Sequence, residues 1–184
     1  MQARFERDGY LVLPLIGPEA VADIRATYER LHPANPEPGF YSSTYSDNAS
    51  FKEEIFAKVD GWYEGQIDGL FQEVKKLGAS FLLKQPGERG RMPIHQDWTV
   101  TFEEEGDFSV TLWVPLQDVN AQNGAIKVLP GSHRFSNALR GPSLPVIWRD
   151  VYPILETKVQ TLDMIAGEAF IFDHSLLHSS HDNQ

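Results

Sequence analysis

The sequence predicts a mostly-β (α+β) fold in which N-terminal helices precede a jelly roll of short strands. Helical spacing of apolar residues dominates the chain up to Leu77, whereas after Gly78 the chain consists of short β-branched or aromatic runs separated by turn residues. Helices followed by a series of strands are typical of α+β or mostly-β architecture, because a parallel α/β sheet requires the two to alternate. A jelly roll accommodates that many strands in two packed sheets.

The N-terminal part opens with a short helix that ends at Gly9 and is followed by a strand at Tyr10–Pro14. A second helix begins at Pro18, since proline suits the first turn of a helix, and its apolar residues recur at helical intervals through Leu31. Residues 32–48 are rich in proline, serine and aromatic residues and predict a long loop, of the kind that often covers a binding site. Two further helices are predicted at Ala49–Val59 and Trp62–Leu77.

The rest of the chain contains six predicted strands, which are indicated by their length, their β-branched and aromatic content and the turn residues between them. They are Ser80–Gln85, Ile94–Thr101, Phe108–Pro115, Ala125–Leu129, Thr157–Leu162 and Glu168–Phe172. The dipeptide Asn123-Gly124 between two of these runs predicts a β-hairpin, because both turn positions require a positive φ. With 184 residues the chain fits a single domain, residues 1–184.

Composition limits the classes of function. The net charge of −10 argues against a nucleic-acid partner, because nucleic-acid binding rests on the neutralisation of phosphates. No apolar run reaches the roughly 18 residues of a membrane span, and the N-terminus lacks the apolar stretch of a secretory signal. We therefore expect no membrane partner and a cytoplasmic location. The chain has no cysteine, so any metal must be bound by histidine and carboxylate.

The segment His95-Gln96-Asp97 lies within one of the predicted strands. Side chains alternate between the two faces of a strand, so His95 and Asp97 project from the same side. One imidazole and one carboxylate so placed can bind adjacent positions of a metal ion. A third ligand from a late strand that ends in His178 completes a facial triad, a ligand set typical of non-haem iron(II) oxygenases.

Three histidines near the C-terminus are candidates for the third ligand, namely His174, His178 and His181. Their spacing of i, i+4 and i+7 would bring them to one face of a helix, so a three-histidine zinc site, and with it a zinc-dependent hydrolase, is an alternative. Residues 169–173 are strand-like, and Ser175 stands where a metalloprotease helix carries its glutamate base. These two observations favour the strand and the iron site.

A series of short motifs extends over nearly the whole chain. In order they are Phe5–Tyr10, Lys84–Pro86, His95–Asp97, Trp113–Leu116, Asn123–Ala125, Leu129–His133, Gly167–Phe172 and Leu176–Ser180. Each motif is unspecific by itself, but their combination and order resemble the phytanoyl-CoA dioxygenase family of iron(II)/2-oxoglutarate oxygenases.

The resemblance implies a double-stranded β-helix, a cupin-like jelly roll, in which His95, Asp97 and His178 bind Fe(2+). It implies hydroxylation of an aliphatic C–H bond in a small-molecule substrate, with 2-oxoglutarate and O2 as co-substrates and succinate and CO2 as co-products. The carboxylate ligand Asp97 favours hydroxylation over halogenation, because related halogenases leave this position to chloride. A non-catalytic jelly-roll binding module is a further alternative, since it would keep the strands without a redox metal.

The resemblance also implies that Trp113, Ser180 and Lys84 lie at the 2-oxoglutarate, although a tryptophan in a strand is equally expected in the core. The family binds the distal carboxylate of 2-oxoglutarate with an arginine about ten residues beyond the last ligand. This sequence ends at Gln184, so we expect a natural chain that continues into a closing C-terminal strand. Otherwise another cation takes that place, and the candidates are Arg134, Arg140 and Lys84.

The predicted loop offers the first indication of a substrate. Its segment Phe40–Tyr45 combines aromatic rings with hydroxyl groups, which suits contacts to a small polar metabolite. We expect this loop, over Pro33–Asn48, to overhang the metal. The same acidic chain with few clustered cations argues against a polyanionic thioester as substrate.

Overall fold

A computed structural model describes residues 1–32, 39–67, 69–71, 73–90, 92–101, 108–144 and 146–184. The described helices are α1 (Gln2–Asp8), α2 (Pro18–Leu31), α3 (Ala49–Tyr63) and α4 (Tyr152–Leu155). The described strands are β1 (Tyr10–Pro14), β2 (Phe40–Ser42), β3 (Leu82–Lys84), β4 (Val110–Trp113), β5 (Ile126–Val128), β6 (Gln160–Leu162), β7 (Glu168–Asp173) and β8 (His178–Ser180).

The N-terminal helices begin and end where local chemistry favours it. Gly9 ends α1 with a φ of 81° and an N–H bond to the carbonyl of Phe5, a conformation that glycine adopts without strain. Pro18 begins α2, and Asn48 caps α3 by accepting a hydrogen bond from the N–H of Phe51 at 3.1 Å. Helices α2 and α3 pack together through a cluster centred on Ile24, Ile55 and Phe81.

Two three-stranded antiparallel sheets form the jelly roll. One sheet has the strand order β1-β7-β4, and the other has the order β6-β5-β8. Residues paired directly across an antiparallel ladder project to the same face. The inward residues of both sheets, among them Tyr10, Phe170, Phe172 and Val128, meet in one hydrophobic core. The predicted mostly-β jelly roll with N-terminal helices is therefore confirmed.

Several predicted elements differ from the observed ones. The helix predicted at Trp62–Leu77 is wrong, because α3 ends at Tyr63 and the described residues that follow it up to residue 77 form turns, bends and irregular structure. Gly65, with a φ of 75°, follows the end of α3 and directs the chain away from the helix axis. Within the predicted loop 32–48, residues 40–42 form β2, which pairs with β3, while residues 33–38 lie outside the described part.

The hairpin predicted at Asn123-Gly124 is also wrong. Gly124 has a φ of 92°, but Asn123 has no positive φ, so the two residues do not form the type I′ turn. The flanking strands do not pair with each other, because β4 pairs with β7 and β5 pairs with β6 and β8. The turn instead carries the chain from one sheet to the other.

The strand predicted at Ile94–Thr101 is reduced to one isolated bridge, between His95 and His178. The residues after it bond to an irregular segment instead, and Thr99 donates its N–H to the carbonyl of Arg140 at 3.1 Å. The strand expected to end in His178 is likewise divided, because β7 ends at Asp173 and His178 begins β8.

Candidate metal centre

His95, Asp97 and His178 converge where the irregular segment 92–101 meets β8. One nitrogen of each imidazole and one carboxylate oxygen all lie within 4.8 Å of one another. Asp97 Oδ1 is 4.0 Å from His95 Nε2 and 3.8 Å from His178 Nε2. His95 and His178, 83 positions apart in the sequence, thus meet at one point, because the bridge between them joins the segment 92–101 to the edge of β8.

His178 is buried and packs against the hydrophobic core. Its residue exposure is only 6%, and its ring lies 4.6 Å from that of Phe172 and 4.2 Å from that of His95, measured between centroids. Burial, and after it the nearby His95, lower the pKa of His178 to about 4. The imidazole is therefore neutral near pH 7, which is the form that binds a metal ion.

The hydrogen bonds of the two histidines fix which nitrogen faces the cluster. His95 Nδ1 lies 2.8 Å from the carbonyl oxygen of Pro93, and His178 Nδ1 lies 2.9 Å from that of Leu176. A carbonyl oxygen only accepts, so in each ring Nδ1 carries a proton and donates it. In the form of each ring that binds a metal, Nε2 then offers its lone pair to the shared point, as it does in metal-binding histidines whose other ring nitrogen donates to a carbonyl.

Asp97 is oriented by two neighbours. The Thr111 hydroxyl donates to Asp97 Oδ2 at 2.8 Å, so Oδ1 is the oxygen that faces the histidines. Arg140 Nε donates to the Asp97 backbone oxygen at 2.8 Å, which places one of the suggested alternative cations beside the cluster. Two imidazole nitrogens and one carboxylate oxygen form a donor set that fits iron(II).

The other two C-terminal histidines point elsewhere. His174 bonds to the hydroxyls of Ser109 and Thr111, and His181 Nε2 lies 2.8 Å from the hydroxyl of Thr161. The helix that would bring all three histidines to one face does not form, because residues 168–173 and 178–180 are strands. The zinc alternative based on that helix therefore loses its geometric basis.

Two of the three residues expected at the 2-oxoglutarate lie together. Lys84, the last residue of β3, donates from Nζ to Ser180 Oγ at 2.9 Å and also to the carbonyl of His181. Ser180 is two residues beyond His178 on β8, so both side chains project from the same face of the strand. Ser180, and with it the Lys84 ammonium, therefore lies beside the histidine cluster, two residues along β8 from His178.

Trp113 is the third of these residues. It lies two residues beyond Thr111 on β4, so it projects to the same inward face as the side chain that contacts Asp97. Trp113 pairs with Phe170 and packs, partly buried, against the core between the sheets. Trp113 thus belongs to the core, as expected from the alternative that a strand tryptophan is a core residue. It lies on the same face of β4 as Thr111, which contacts the cluster.

Sequence reasoning missed the role of Thr111 and assigned His174 only as a possible ligand. Thr111 lies in a predicted strand where alternation places it inward, and a hydroxyl at an inward position was the available signal. His174 could not be assigned from sequence, because its contact depends on the pairing of β7 with β4.

Comparison with known proteins supports one family. A sequence model described as phytanoyl-CoA dioxygenase (PhyH) matches residues 5–184. An ectoine dioxygenase of Nocardia farcinica is 26% identical over 97% of this chain and 70% of its own length. A phytanoyl-CoA dioxygenase of Arabidopsis thaliana is 28% identical over 58% of this chain, but this match spans only 38% of the plant protein.

Solved structures support the fold. The epimerase SnoN, in complex with Fe3+, alpha ketoglutarate and nogalamycin RO, superposes with a TM-score of 0.68 over 99% of this chain and 76% of its own, at 21% identity. At that identity the likeness concerns the fold alone, and it agrees with the two-sheet jelly roll described above. The family match, in contrast, extends over almost the whole sequence and confirms the resemblance seen in the motifs. The chain belongs to the phytanoyl-CoA dioxygenase family, whose members are dioxygenases that use iron(II) and 2-oxoglutarate.

Proposed function

We propose that His95, Asp97 and His178 are the iron ligands of a dioxygenase that hydroxylates an aliphatic C–H bond of a small-molecule metabolite. One observation carries this proposal: two imidazole nitrogens and one carboxylate oxygen lie within 4.8 Å of one another. Two histidines and one carboxylate that converge on one point are the ligand set of a facial triad, so a metal ion such as iron(II) fits between them.

When bound, iron(II) supplies the redox chemistry that couples the reduction of O2 and the oxidative decarboxylation of 2-oxoglutarate to hydroxylation of the substrate. The chain's residues hold and orient the reactants. His95 and His178 would bind the ion through Nε2, and Asp97 would bind it through Oδ1. The side chains of His95 and Asp97 are 32% and 29% exposed, which leaves one side of the site open to a substrate.

The 2-oxoglutarate site that we propose lies along β8. Ser180 is two residues from His178, a separation of roughly 6.6–6.8 Å along a strand. A five-carbon diacid can extend over that distance, with its 2-oxo acid end at the metal and its distal carboxylate at the Lys84 ammonium and the Ser180 hydroxyl. Lys84 Nζ already lies 2.9 Å from Ser180 Oγ, so one carboxylate can contact both groups. Trp113 would line the inner end of this site.

The substrate that we propose is a small polar metabolite. The relative from Nocardia farcinica is an ectoine dioxygenase, which supports a small-molecule substrate for this chain. Tyr41 is a weaker candidate for substrate contact than the sequence suggested, because its hydroxyl bonds to His32 Nε2 at 2.9 Å. Tyr45 is the stronger candidate of the two, because it is 70% exposed.

Three expectations from the sequence stay predictions here: a single domain over residues 1–184, a cytoplasmic location and the lack of a nucleic-acid partner. The net charge of −10 supports the last of them. Among the described residues, none of the helices has both the length and the apolar character that crossing a bilayer requires.

The experiment that tests the proposed function is conversion of labelled 2-oxoglutarate to succinate by this chain, first without an added substrate and then with a panel of small amino-acid derivatives. We expect slow, iron(II)-dependent succinate formation that a true substrate accelerates. A parallel sample with Zn(II) in place of iron(II) should form none. Hydrolysis of a panel compound with Zn(II), and no succinate with iron(II), would favour the hydrolase. Binding of panel compounds without succinate formation or hydrolysis would favour the binding module.

A further inference from the structure

A continuous line of hydrogen bonds extends behind the carboxylate of Asp97. Thr111 Oγ1 lies 2.8 Å from Asp97 Oδ2 and 3.0 Å from His174 Nε2. His174 Nδ1 in turn lies 2.9 Å from Ser109 Oγ. The line thus connects four side chains, from the cluster to the N-terminal end of β4.

The direction of the first two hydrogen bonds follows from where the line ends. The Thr111 hydroxyl donates to Asp97 Oδ2, and its single proton is thereby used. Thr111 must then accept from His174, so His174 Nε2 carries a proton. The Ser109 hydroxyl can donate to His174 Nδ1 or accept from it, so it is a suitable partner at the far end of the line.

Backbone pairing holds the line in place independently of the side chains. Strands β4 and β7 pair with Val110 opposite Asp173, and the N–H of His174 donates to the carbonyl of Ser109 at 3.1 Å. Ser109 is only 6% exposed. Thr111 therefore comes from the paired strand β4, and His174 directly follows β7, whereas Asp97 comes from an irregular segment that has little regular pairing of its own.

We propose that Thr111 and His174 are positioning residues that hold Asp97 Oδ2 away from the metal, so that Asp97 binds through Oδ1 alone. This inference rests on the proposed function, because it assumes that Asp97 is a ligand. Without the Thr111 hydroxyl the carboxylate is free to rotate and to bind through both oxygens, which would occupy a position that 2-oxoglutarate needs. His174 acts one step further away, by orienting the Thr111 hydroxyl towards the carboxylate.

A merely structural role predicts something different. If the line only joined β4 to β7, its loss would lower the stability of the metal-free protein and leave the coordination of Asp97 unchanged. A readout of the metal environment separates the two roles, because only a positioning role alters which carboxylate oxygens reach the ion.

Co(II) is a suitable probe, since its visible d–d absorption reports the number and symmetry of its ligands. We expect Thr111→Val, which keeps the shape of threonine but removes the hydroxyl, to weaken Co(II) binding by roughly 10–100-fold and to change the d–d spectrum. Thr111→Ser, which restores the hydroxyl, should recover the affinity and spectrum of the unaltered chain. His174→Leu should act in the same direction as Thr111→Val with a smaller effect, and His174→Gln should recover part of the loss.

Thr161→Val is a matched control, because the Thr161 hydroxyl also bonds to a histidine, His181, but at a pair that the cluster does not contact. This variant should bind Co(II) as the unaltered chain does. Melting of each metal-free variant identifies any that do not fold. If Thr111→Val is one of these, the comparison of His174→Leu with His174→Gln decides in its place.

The outcomes separate this inference from the proposed function. Failure of the unaltered chain to bind Co(II), or equal binding by Asp97→Ala, would overturn the ligand assignment and the inference together. Loss of binding in Asp97→Ala, together with an unchanged affinity and spectrum in the folded Thr111→Val and His174→Leu variants, would overturn the inference alone. Altered spectra in those two variants, with recovery in Thr111→Ser, would support it.

Discussion

His178 and His95 lie side by side, yet they come from two different environments. His178 belongs to β8, which pairs over its whole length with β5, and its side chain is 8% exposed. His95 belongs to an irregular segment that joins the sheet through one bridge, and its side chain is 32% exposed. His178 is thus part of the buried core, while His95 lies in a segment that contacts the edge of the sheet.

This difference shows how one site can be both rigid and open. The core side fixes His178 and, through Thr111, the orientation of the Asp97 carboxylate. The open side carries His95 and Asp97 on a segment with few regular backbone bonds, so a substrate can approach from there without disturbing the core. We therefore expect changes on the open side to affect binding, and changes on the core side to affect both binding and stability.

The largest expected effect on binding comes from Asp97, on the open side. Asp97→Ala removes the single anionic donor of the cluster, so Fe(II) affinity should fall by more than the roughly 10–100-fold that loss of an outer partner costs. The free energy of unfolding of the metal-free chain should fall by only about 1 kcal/mol, the contribution of the bond from Thr111. Anaerobic Fe(II) titration and thermal melting measure the two quantities. A large loss of apo stability with unchanged iron affinity would assign Asp97 a structural role.

The second prediction compares the two histidines directly. Both His178→Ala and His95→Ala should weaken metal binding, but only the first should destabilise the metal-free chain, by about 2–3 kcal/mol, because it opens a cavity beside Phe172. His95→Ala should cost less than about 1 kcal/mol, as exposed substitutions usually do. Urea denaturation of both variants without metal measures the difference. Equal losses of stability would contradict the distinction between the two sides.

A smaller effect is expected at the proposed 2-oxoglutarate site. Lys84→Met should raise the Kd for 2-oxoglutarate by roughly tenfold, because it removes a charge-assisted contact, and should leave metal affinity unchanged. Lys127→Met is a matched control. Lys127 forms an ion pair with Glu156, and it lies opposite Ser179 in the β5–β8 ladder, on the face of β8 away from His178 and Ser180. Calorimetry with Mn(II)-loaded protein measures both constants. An unchanged Kd in Lys84→Met would remove Lys84 from the co-substrate site.

The smallest expected effect is at His181. Its Nε2 bonds to the Thr161 hydroxyl at 2.8 Å, so His181→Asn should bind Fe(II) as tightly as the unaltered chain does. The same titration that is used for Asp97→Ala tests this expectation. A marked loss of iron binding would show that His181, not His178, is the third ligand.

The sequence predicted where most of the strands lie along the chain, because side-chain alternation and turn residues are local signals. It failed at the segment after His95, where β-branched and aromatic content suggested a strand but the structure has one bridge. A strand needs a partner, and the sequence of one segment does not show whether a partner is available. The helix predicted at Trp62–Leu77 is a second error of this kind. The apolar spacing of these residues suggests a helix, but Gly65, with its positive φ, follows the end of α3 and the helix does not continue.

The candidate site was predictable where its residues lie close together in sequence. The spacing of His95 and Asp97 and the motif resemblance led to the cluster, and the structure brings these residues to His178. The Thr111–His174 pair could not be predicted in the same way, because it exists only through the register of β4 against β7. Register depends on long-range packing, which a local pattern does not determine.

The most direct test is an anaerobic titration of the chain with Fe(II) and then 2-oxoglutarate, followed in the visible range. The account predicts a weak charge-transfer band that forms only when both are present, because the 2-oxo acid must chelate an iron ion that His95, Asp97 and His178 hold. The band should be missing in Asp97→Ala under the same conditions. Fe(II) binding without any band on addition of 2-oxoglutarate, or an equal band in Asp97→Ala, would contradict the central claim that this cluster is an iron and 2-oxoglutarate site.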